Sequence, residues 1–162
     1  WYMAVCCLES VLDHPSASVL FAKKGVAESS FFWEKDGVTM RCRPDWLADN
    51  GDETFDIVDL KTAADASPWA FKYSVTKFKY DLQEAIYREG VGKELTVRNF
   101  YFVAIEPFPP YAVGVYMLDS RALDYSKTKY QALIDLYNEC MFLDEWPAYS
   151  NDIETLELKR WE

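Results

Sequence analysis

The chain is poor in the residues that metal cages and disulfide frameworks require. It has one histidine and four cysteines, and these show neither a CxxC pair nor a Cys/His spacing typical of zinc sites. Cys6 and Cys7 are adjacent, so on a helix they point to different sides and pack as small apolar residues. The cysteine usage therefore favours a reduced, cytoplasmic protein.

Long apolar runs are also missing. None reaches the ~18–20 residues that cross a bilayer, and no stretch has the charged-then-apolar pattern of a signal peptide, so we expect no membrane contact. Half of the residues are hydrophobic and 17% are aromatic, which is a globular composition. The 162 residues suit one domain, 1–162, large enough to bury about 70% of its unfolded surface.

Positive charge is in short supply, since the formal net charge is −10. That balance argues against binding a polyanion by bulk attraction. The charges are unevenly spread, however: residues 72–79 contain three lysines and no acid. The acids concentrate at 49–56 and 144–157, so the sequence predicts a local basic surface on an acidic body.

What the sequence does have is an unusual strand at residues 55–62. Ile57, Val58 and Leu60 indicate burial on both faces, yet Asp59 and Lys61 also lie in this run. Side chains alternate across a strand, so these two charged groups project from the same face. Burying them is costly unless they pair with each other or hold a metal.

A third charge, Asp45, follows Pro44 at the end of another short strand, residues 41–45. Together, Asp45 and Asp59-Leu60-Lys61 form the pattern of the PD-(D/E)xK nuclease core. Two carboxylates on neighbouring strands can share Mg²⁺, or Mn²⁺ in its place, while Lys61 handles the attacking water. A strand-end ion pair explains the short motif equally well.

The wider pattern predicts a mixed α/β (α+β) fold in which helices cover both faces of a central mixed sheet. The predicted elements are helices at 2–13 and 17–24, a hairpin of 29–34 and 38–43, a strand at 55–62, a helix from Pro68 to Gly90 interrupted near Thr76, strands at 95–106 and 112–117, and a helix at 120–142. Gly25 is expected to end the second helix as its C′ residue, and Ser120 to cap the last.

Longer motifs extend the resemblance. The chain closely resembles the RecE-type exonucleases (exodeoxyribonuclease VIII) at Ala27-Glu28-Ser29-Ser30, Trp33-Glu34, Arg41-Cys42-Arg43-Pro44-Asp45, Asp59-Leu60-Lys61-Thr62-Ala63-Ala64-Asp65 and Tyr80-Asp81-Leu82-Gln83-Glu84-Ala85-Ile86-Tyr87. Residues 144–148 and 158–161 look like that family's closing segment. The resemblance implies a restriction-endonuclease-like core and a Mg²⁺-dependent enzyme that degrades linear double-stranded DNA from 5′ ends during recombination. It also implies a homo-oligomeric ring around DNA and a RecT-like single-strand annealing partner.

The resemblance also suggests roles for individual residues. Gln83 and Tyr87 are one helical turn apart and would face the site, positioning DNA or a metal-bound water. Glu28 matches an acid near the family's active site, so it is a further candidate metal ligand, although an ordinary strand-edge glutamate fits as well. The basic residues assigned to DNA contact are Arg41, Arg43, Lys72, Lys77 and Lys79.

Two alternatives stay open at this point. One is a related nuclease of the RecB or Cas4 kind, although those commonly bind an iron–sulfur cluster through four cysteines whose spacing is not seen here. The other is a catalytically degenerate module for DNA binding or assembly. RecE-type domains carry a histidine in sequence that precedes this region, and His14 does not match it. We therefore expect the chain to lack that N-terminal segment, which favours the degenerate alternative.

Overall fold

The computed structural model describes residues 1–150 and 152–156, so the closing motif at 158–161 lies outside the described residues. The helices are α1 (Tyr2–Asp13), α2 (Pro15–Ala22), α3 (Pro68–Phe78), α4 (Tyr80–Val91) and α5 (Ser120–Leu143). The strands are β1 (Gly25–Ala27), β2 (Phe31–Lys35), β3 (Val38–Cys42), β4 (Trp46–Asp49), β5 (Thr54–Thr62), β6 (Thr96–Ile105) and β7 (Val113–Tyr116). In this part of the chain, no helix combines the length and hydropathy that a bilayer crossing needs.

The strands form a five-stranded mixed sheet, in the order β1-β4-β5-β6-β7, and a separate hairpin of β2 and β3. β5 and β6 pair in parallel, while the other neighbours in the large sheet are antiparallel. Helices pack on both faces of this sheet. The predicted mixed α/β fold with a restriction-endonuclease-like core is confirmed.

β5 is the central strand, and its alternating side chains serve two separate cores. Ile57 packs with Phe71 and Phe100 in the core that includes α3. Val58 packs on the other face with Val11 and Leu20 of α1 and α2. An apolar strand buried on both faces is what covering a sheet with helices on both sides produces.

The predicted helix break lies at Lys79 rather than near Thr76. Lys79 adopts the left-handed conformation (φ 59°, ψ 38°), ending α3 and preceding α4. Thr76 stays helical, and its hydroxyl donates to the Lys72 carbonyl oxygen. The turn at Lys79 lets Phe71 and Tyr80, from different helices, both contact Phe102.

Several predicted termini are wrong for local reasons. Gly25 begins β1 instead of ending α2, whose C-cap is Lys23. Glycine suits this strand position because a Cβ would collide with the Leu47 carbonyl oxygen and the Trp46 ring of β4. α2 starts at Pro15, where His14 Nδ1 accepts from the Ala17 amide at 3.3 Å. Asp119 rather than Ser120 caps α5, accepting from the Ala122 amide at 2.8 Å.

The sequence patterns also miss β1 and β4, which have only three and four residues. β3 ends at Cys42, so Asp45 does not close a hairpin strand as predicted. Pro44 cannot donate a ladder hydrogen bond, and the chain turns there into β4. Asp45 therefore stands directly before β4, beside β5 in the large sheet.

A buried polar network ties α2 to the start of β5. The Asp56 carboxylate is 1% exposed and accepts from Lys23 Nζ at 2.7 Å and from Asn99 Nδ2 at 3.0 Å. Burial pushes the pKa of Asp56 upward, but hydrogen bonds from Lys23 and nearby asparagines outweigh it and hold the pKa below its usual value. The network thus stabilises the fold when Asp56 is ionised.

We predict that Lys23→Met lowers the free energy of unfolding by about 2–3 kcal/mol near neutral pH, since it leaves a buried carboxylate without its cation. Because the folded pKa of Asp56 is depressed, this contribution is present above the ordinary aspartate pKa of about 3.9 and is lost as pH falls through the folded value. Urea denaturation across pH measures both effects. Lys24→Met, at an exposed neighbour, is the matched control and should change little; equal stability of the two variants at neutral pH would contradict the assignment.

Candidate active site

The two acids of the predicted motif meet at the end of β5. β4 and β5 are antiparallel with Trp46 opposite Val58, and continuing this register by one residue sets Asp45 opposite Asp59. The Asp45 carboxylate reaches across and accepts from the Leu60 backbone amide at 2.7 Å. Residues far apart in sequence are therefore brought together by one strand pairing.

Asp59 is the most deeply buried charged group of the site, at 2% exposure. Its Oδ1 accepts from Gln83 Nε2 at 2.7 Å, and its Oδ2 forms an ion pair with Lys61 from the same face of β5. Burial raises the pKa of Asp59, with a further rise from the Asp45 charge; Lys61 and Gln83 offset only part of this.

The ammonium group of Lys61 is held by an aromatic ring as well as by Asp59. Lys61 Nζ lies 4.6 Å from the centroid of the Tyr80 ring, a cation–π distance. Tyr80 is itself stacked between Phe102, at 6.0 Å, and Phe78, at 5.7 Å. We assigned Tyr80 no role from sequence. The signal in the sequence is its place in the RecE-like motif of residues 80–87, at the start of the helix that carries Gln83.

A cavity of about 410 Å³ opens beside Asp45. Its lining includes Glu28, Ser30, Arg41, Arg43 and Tyr87, so it joins several predicted site residues from β3, α4 and the β1–β2 connection. Arg43 Nε pairs with the Glu28 carboxylate at 2.8 Å. The cavity offers guanidinium groups and a phenol next to a carboxylate, which suits a phosphate approaching Asp45.

Gln83 and Tyr87 lie one turn apart on α4, as predicted. Gln83 donates to Asp59 rather than pointing at solvent, and it also interacts with the Tyr87 hydroxyl. Burial raises the pKa of Tyr87 despite that contact, so the hydroxyl stays protonated and can donate a hydrogen bond. Asp81, by contrast, faces α5, where Lys129 Nζ lies 3.1 Å from its carboxylate.

The residues present fit a divalent cation held by two carboxylates. Asp59 Oδ2 is buried and accepts no well-formed hydrogen bond, having only the Lys61 ammonium beside it, and a second carboxylate lies close by. Mg²⁺ commonly uses one or two carboxylates with several waters. In the described ranges, no three His, Cys, Asp or Glu side chains form a potential metal cluster; Glu28 pairs with Arg43 instead. Its role as a ligand, and the identity of the metal, stay predictions.

The predicted basic residues fall into two groups. Arg41 and Arg43 line the cavity beside Asp45. Lys72, Lys77 and Lys79 are exposed along α3 and at its C-cap, and none forms an ion pair with another described residue. The second group is connected to the site along the chain, because Lys79 directly precedes Tyr80.

Comparison with known proteins supports the fold and the superfamily. A family model described as "PDDEXK-like domain of unknown function (DUF3799)" matches residues 3–159. The fold is similar to the crystal structure of a candidate exonuclease from Eubacterium rectale, with a TM-score of 0.73 and 13% identity, over 98% of this chain and 63% of that one. The crystal structure of SSO0001 overlaps less well, with a TM-score of 0.46 and 16% identity over 86% and 57% of the two chains. No curated protein matches the sequence.

These comparisons bear on the motif at the superfamily level. The PDDEXK-like match supports the PD-(D/E)xK superfamily, whereas nothing in it singles out the RecE type. The site roles of Asp45, Asp59 and Lys61 stay predictions. At 13% identity the structural likeness shows the fold alone, and this chain spans about 63% of its neighbour's length.

We predict that Gln83→Leu weakens Mn²⁺ binding about tenfold at mildly acid pH. Losing the Gln83 hydrogen bond raises the pKa of Asp59 further, so the carboxylate takes a proton at a higher pH and cannot bind a cation. Isothermal titration with Mn²⁺ across pH measures this shift. Gln131→Leu, on α5 with Asp36 and Asp135 as its partners, should leave the profile unchanged. Identical profiles for Gln83→Leu and the unmodified protein would rule out this role.

Proposed function

This chain belongs to the family of PDDEXK-like domains that its residues 3–159 match, and on that premise we propose that it is a metal-dependent DNA nuclease. The observation that carries the proposal is the convergence at one end of β5. Asp45, Asp59 and Lys61 meet there in the acid, acid, lysine order of the core, with Gln83 bonded to Asp59. An ordinary ion pair at the end of a strand would not require a second carboxylate, that of Asp45, beside the buried carboxylate of Asp59.

In the proposed reaction, Asp45 and Asp59 would hold Mg²⁺, with Mn²⁺ as a substitute. The bound ion would lower the pKa of a water and neutralise charge on the phosphate. Lys61 donates from Nζ to the scissile phosphate or to the attacking water. Gln83 fixes the orientation of Asp59, and the Tyr87 hydroxyl donates to a phosphate oxygen. Arg41 and Arg43 guide the DNA backbone into the cavity.

We further propose that the enzyme is an exonuclease acting on linear double-stranded DNA in the 5′ to 3′ direction. The support is the RecE-type resemblance, which extends beyond the core motif to residues 80–87. The similarly folded Eubacterium rectale protein is described as a candidate exonuclease. A ring-shaped homo-oligomer, a RecT-like annealing partner and a cytoplasmic location belong to the same proposal.

Two other functions are consistent with the fold. A Cas4-like nuclease would need a cysteine cluster, but the four free cysteines are spread over α1, β3 and α5. Among the described residues no three of them come together. A degenerate DNA-binding module would keep the fold without the chemistry. The buried, raised-pKa Asp59 favours catalysis, since a module without catalysis gains nothing from keeping that carboxylate buried.

The proposal predicts that linear duplex DNA carrying a 5′ label is digested with Mg²⁺ and not with EDTA. Asp59→Asn and Lys61→Met should each lower the rate by about 10²–10⁴-fold, because they remove a metal ligand and a charge-stabilising donor. Gel electrophoresis of the labelled products measures the rate. Covalently closed circles should survive if the enzyme requires an end, and 3′-labelled duplexes report the polarity.

Lys24→Met is the control for this assay, since Lys24 is exposed and lies outside the site. Thermal unfolding of each variant separates lost chemistry from lost folding. Retention of full activity by folded Asp59→Asn would exclude the proposed site. Metal-independent DNA binding without cleavage would support the degenerate alternative.

Tyr80 is predicted to act as a positioning residue for Lys61. Tyr80→Leu removes the ring face beneath the ammonium and should slow cleavage about two- to thirtyfold. Tyr80→Phe keeps the ring and should restore the rate, which a role for the hydroxyl would not allow. The measurement is the single-turnover rate across pH with the unfolding midpoint alongside; equal rates for the leucine and phenylalanine variants would contradict the role.

A further inference from the structure

Unpaired positive charge is concentrated on one short segment. Most Lys and Arg side chains of the described chain are held in ion pairs. Those without an ion-pair partner among the described residues are Lys24, Arg41, Lys72, Lys77, Lys79 and Arg121. Half of them fall between residues 72 and 79, and residues 66–80 contain no acid. The net charge of the chain is −10, and this segment is where cationic side chains without an ion-pair partner among the described residues are available to a polyanion.

The same segment exposes aromatic rings. Trp69 and Tyr73 are one turn apart on α3, 68% and 56% exposed, and meet edge to face at 5.0 Å. Lys77 is one turn further along the same face, and its Nζ lies 5.3 Å from the ring of Phe78, which is 56% exposed. Trp69, Tyr73 and Lys77 thus follow one face of α3, Lys72 and Lys79 lie beside it towards α5, and Phe78 lies at the helix end. We call these six residues, Trp69, Lys72, Tyr73, Lys77, Phe78 and Lys79, the α3 stripe.

The α3 stripe is continuous with the candidate active site. Phe78 stacks on Tyr80 at 5.7 Å, and the Tyr80 ring also lies 4.6 Å from the ammonium of Lys61. A strand lying along the stripe would therefore lead to the lysine proposed to contact the scissile phosphate. An aromatic patch with this connection is poorly explained as an unrelated surface feature.

We propose that the α3 stripe binds single-stranded DNA, with bases stacked on Trp69, Tyr73 and Phe78 and phosphates contacting Lys72, Lys77 and Lys79. In a duplex the faces of the bases are covered by their neighbours, and only base edges and phosphates are accessible. Exposed rings interleaved with lysines instead suit unpaired bases, since stacking on aromatic side chains requires an open base face. The link to cleavage rests on the proposed nuclease function, whereas the binding itself does not.

The test is fluorescence anisotropy of a labelled short oligothymidylate with the full chain in EDTA, where no cleavage can occur. Trp69→Ala and Tyr73→Ala should each weaken binding about five- to 150-fold, while Trp69→Phe should retain most of it. Phe142→Ala, at an 88% exposed ring near the far end of α5, is the matched control and should bind normally. Lys77→Gln should lower the slope of log affinity against log salt by about 0.7.

An abasic oligonucleotide of the same length separates stacking from charge. It should bind the unmodified protein more weakly than oligothymidylate does, and its affinity should not respond to Trp69→Ala. Equal losses on the abasic strand would overturn base stacking. Unchanged oligothymidylate affinity in both alanine variants would also overturn it. The same holds if light scattering shows that these variants change oligomeric state while their oligothymidylate affinity stays unchanged.

Assaying the same preparations for duplex digestion with Mg²⁺ keeps the two proposals distinct. Ring-dependent binding of oligothymidylate without digestion would support the stripe and contradict the nuclease. Digestion by a protein whose oligothymidylate affinity ignores Trp69 and Tyr73 would contradict the stripe alone.

Discussion

The proposed site depends on keeping the Asp59 carboxylate ionised although it is only 2% exposed. A buried charge costs several kcal/mol unless partners replace its hydration, and here each partner comes from a different place in the fold. Lys61, on the same strand, and Gln83, on α4, stabilise the charge, whereas the neighbouring carboxylate of Asp45, directly before β4, opposes it. The arrangement therefore exists only when β4, β5 and α4 are all docked, so assembling the fold also assembles the site.

Features set by local periodicity could be predicted from the sequence. The period of two along β5 places Asp59 and Lys61 on one face, and the helical period places Gln83 beneath Tyr87. Features that depend on pairing across the chain could not. The cation–π contact of Tyr80 with Lys61 needs α4 docked on β5, and β4 is too short, after Pro44, to show a pattern. The left-handed turn at Lys79 is equally invisible, since lysine has no preference for that conformation.

Net charge alone does not decide what one part of the surface can bind. The residue count gives a net charge of −10, but ion pairs such as Lys23 with Asp56 and Arg88 with Glu84 neutralise charge locally. At physiological salt, exposed charges beyond about 8 Å are largely screened, so a ligand on α3 experiences chiefly the lysines around it. Net charge describes the whole body, whereas recognition is decided over a few side chains.

Two aspartates on β5 show how the same residue type is put to opposite uses. Asp56 faces α2 and has a lowered pKa, because Lys23 and asparagine hydrogen bonds outweigh its burial; Asp59 faces α4 and has a raised one. Between the ordinary value and the raised pKa of Asp59, the folded state holds a proton that the unfolded state has lost, so ionising Asp59 lowers stability. Asp56 contributes the opposite sign and keeps its charge to lower pH. On acidification Asp59 therefore loses its charge before Asp56 loses its charge and its ion pair with Lys23.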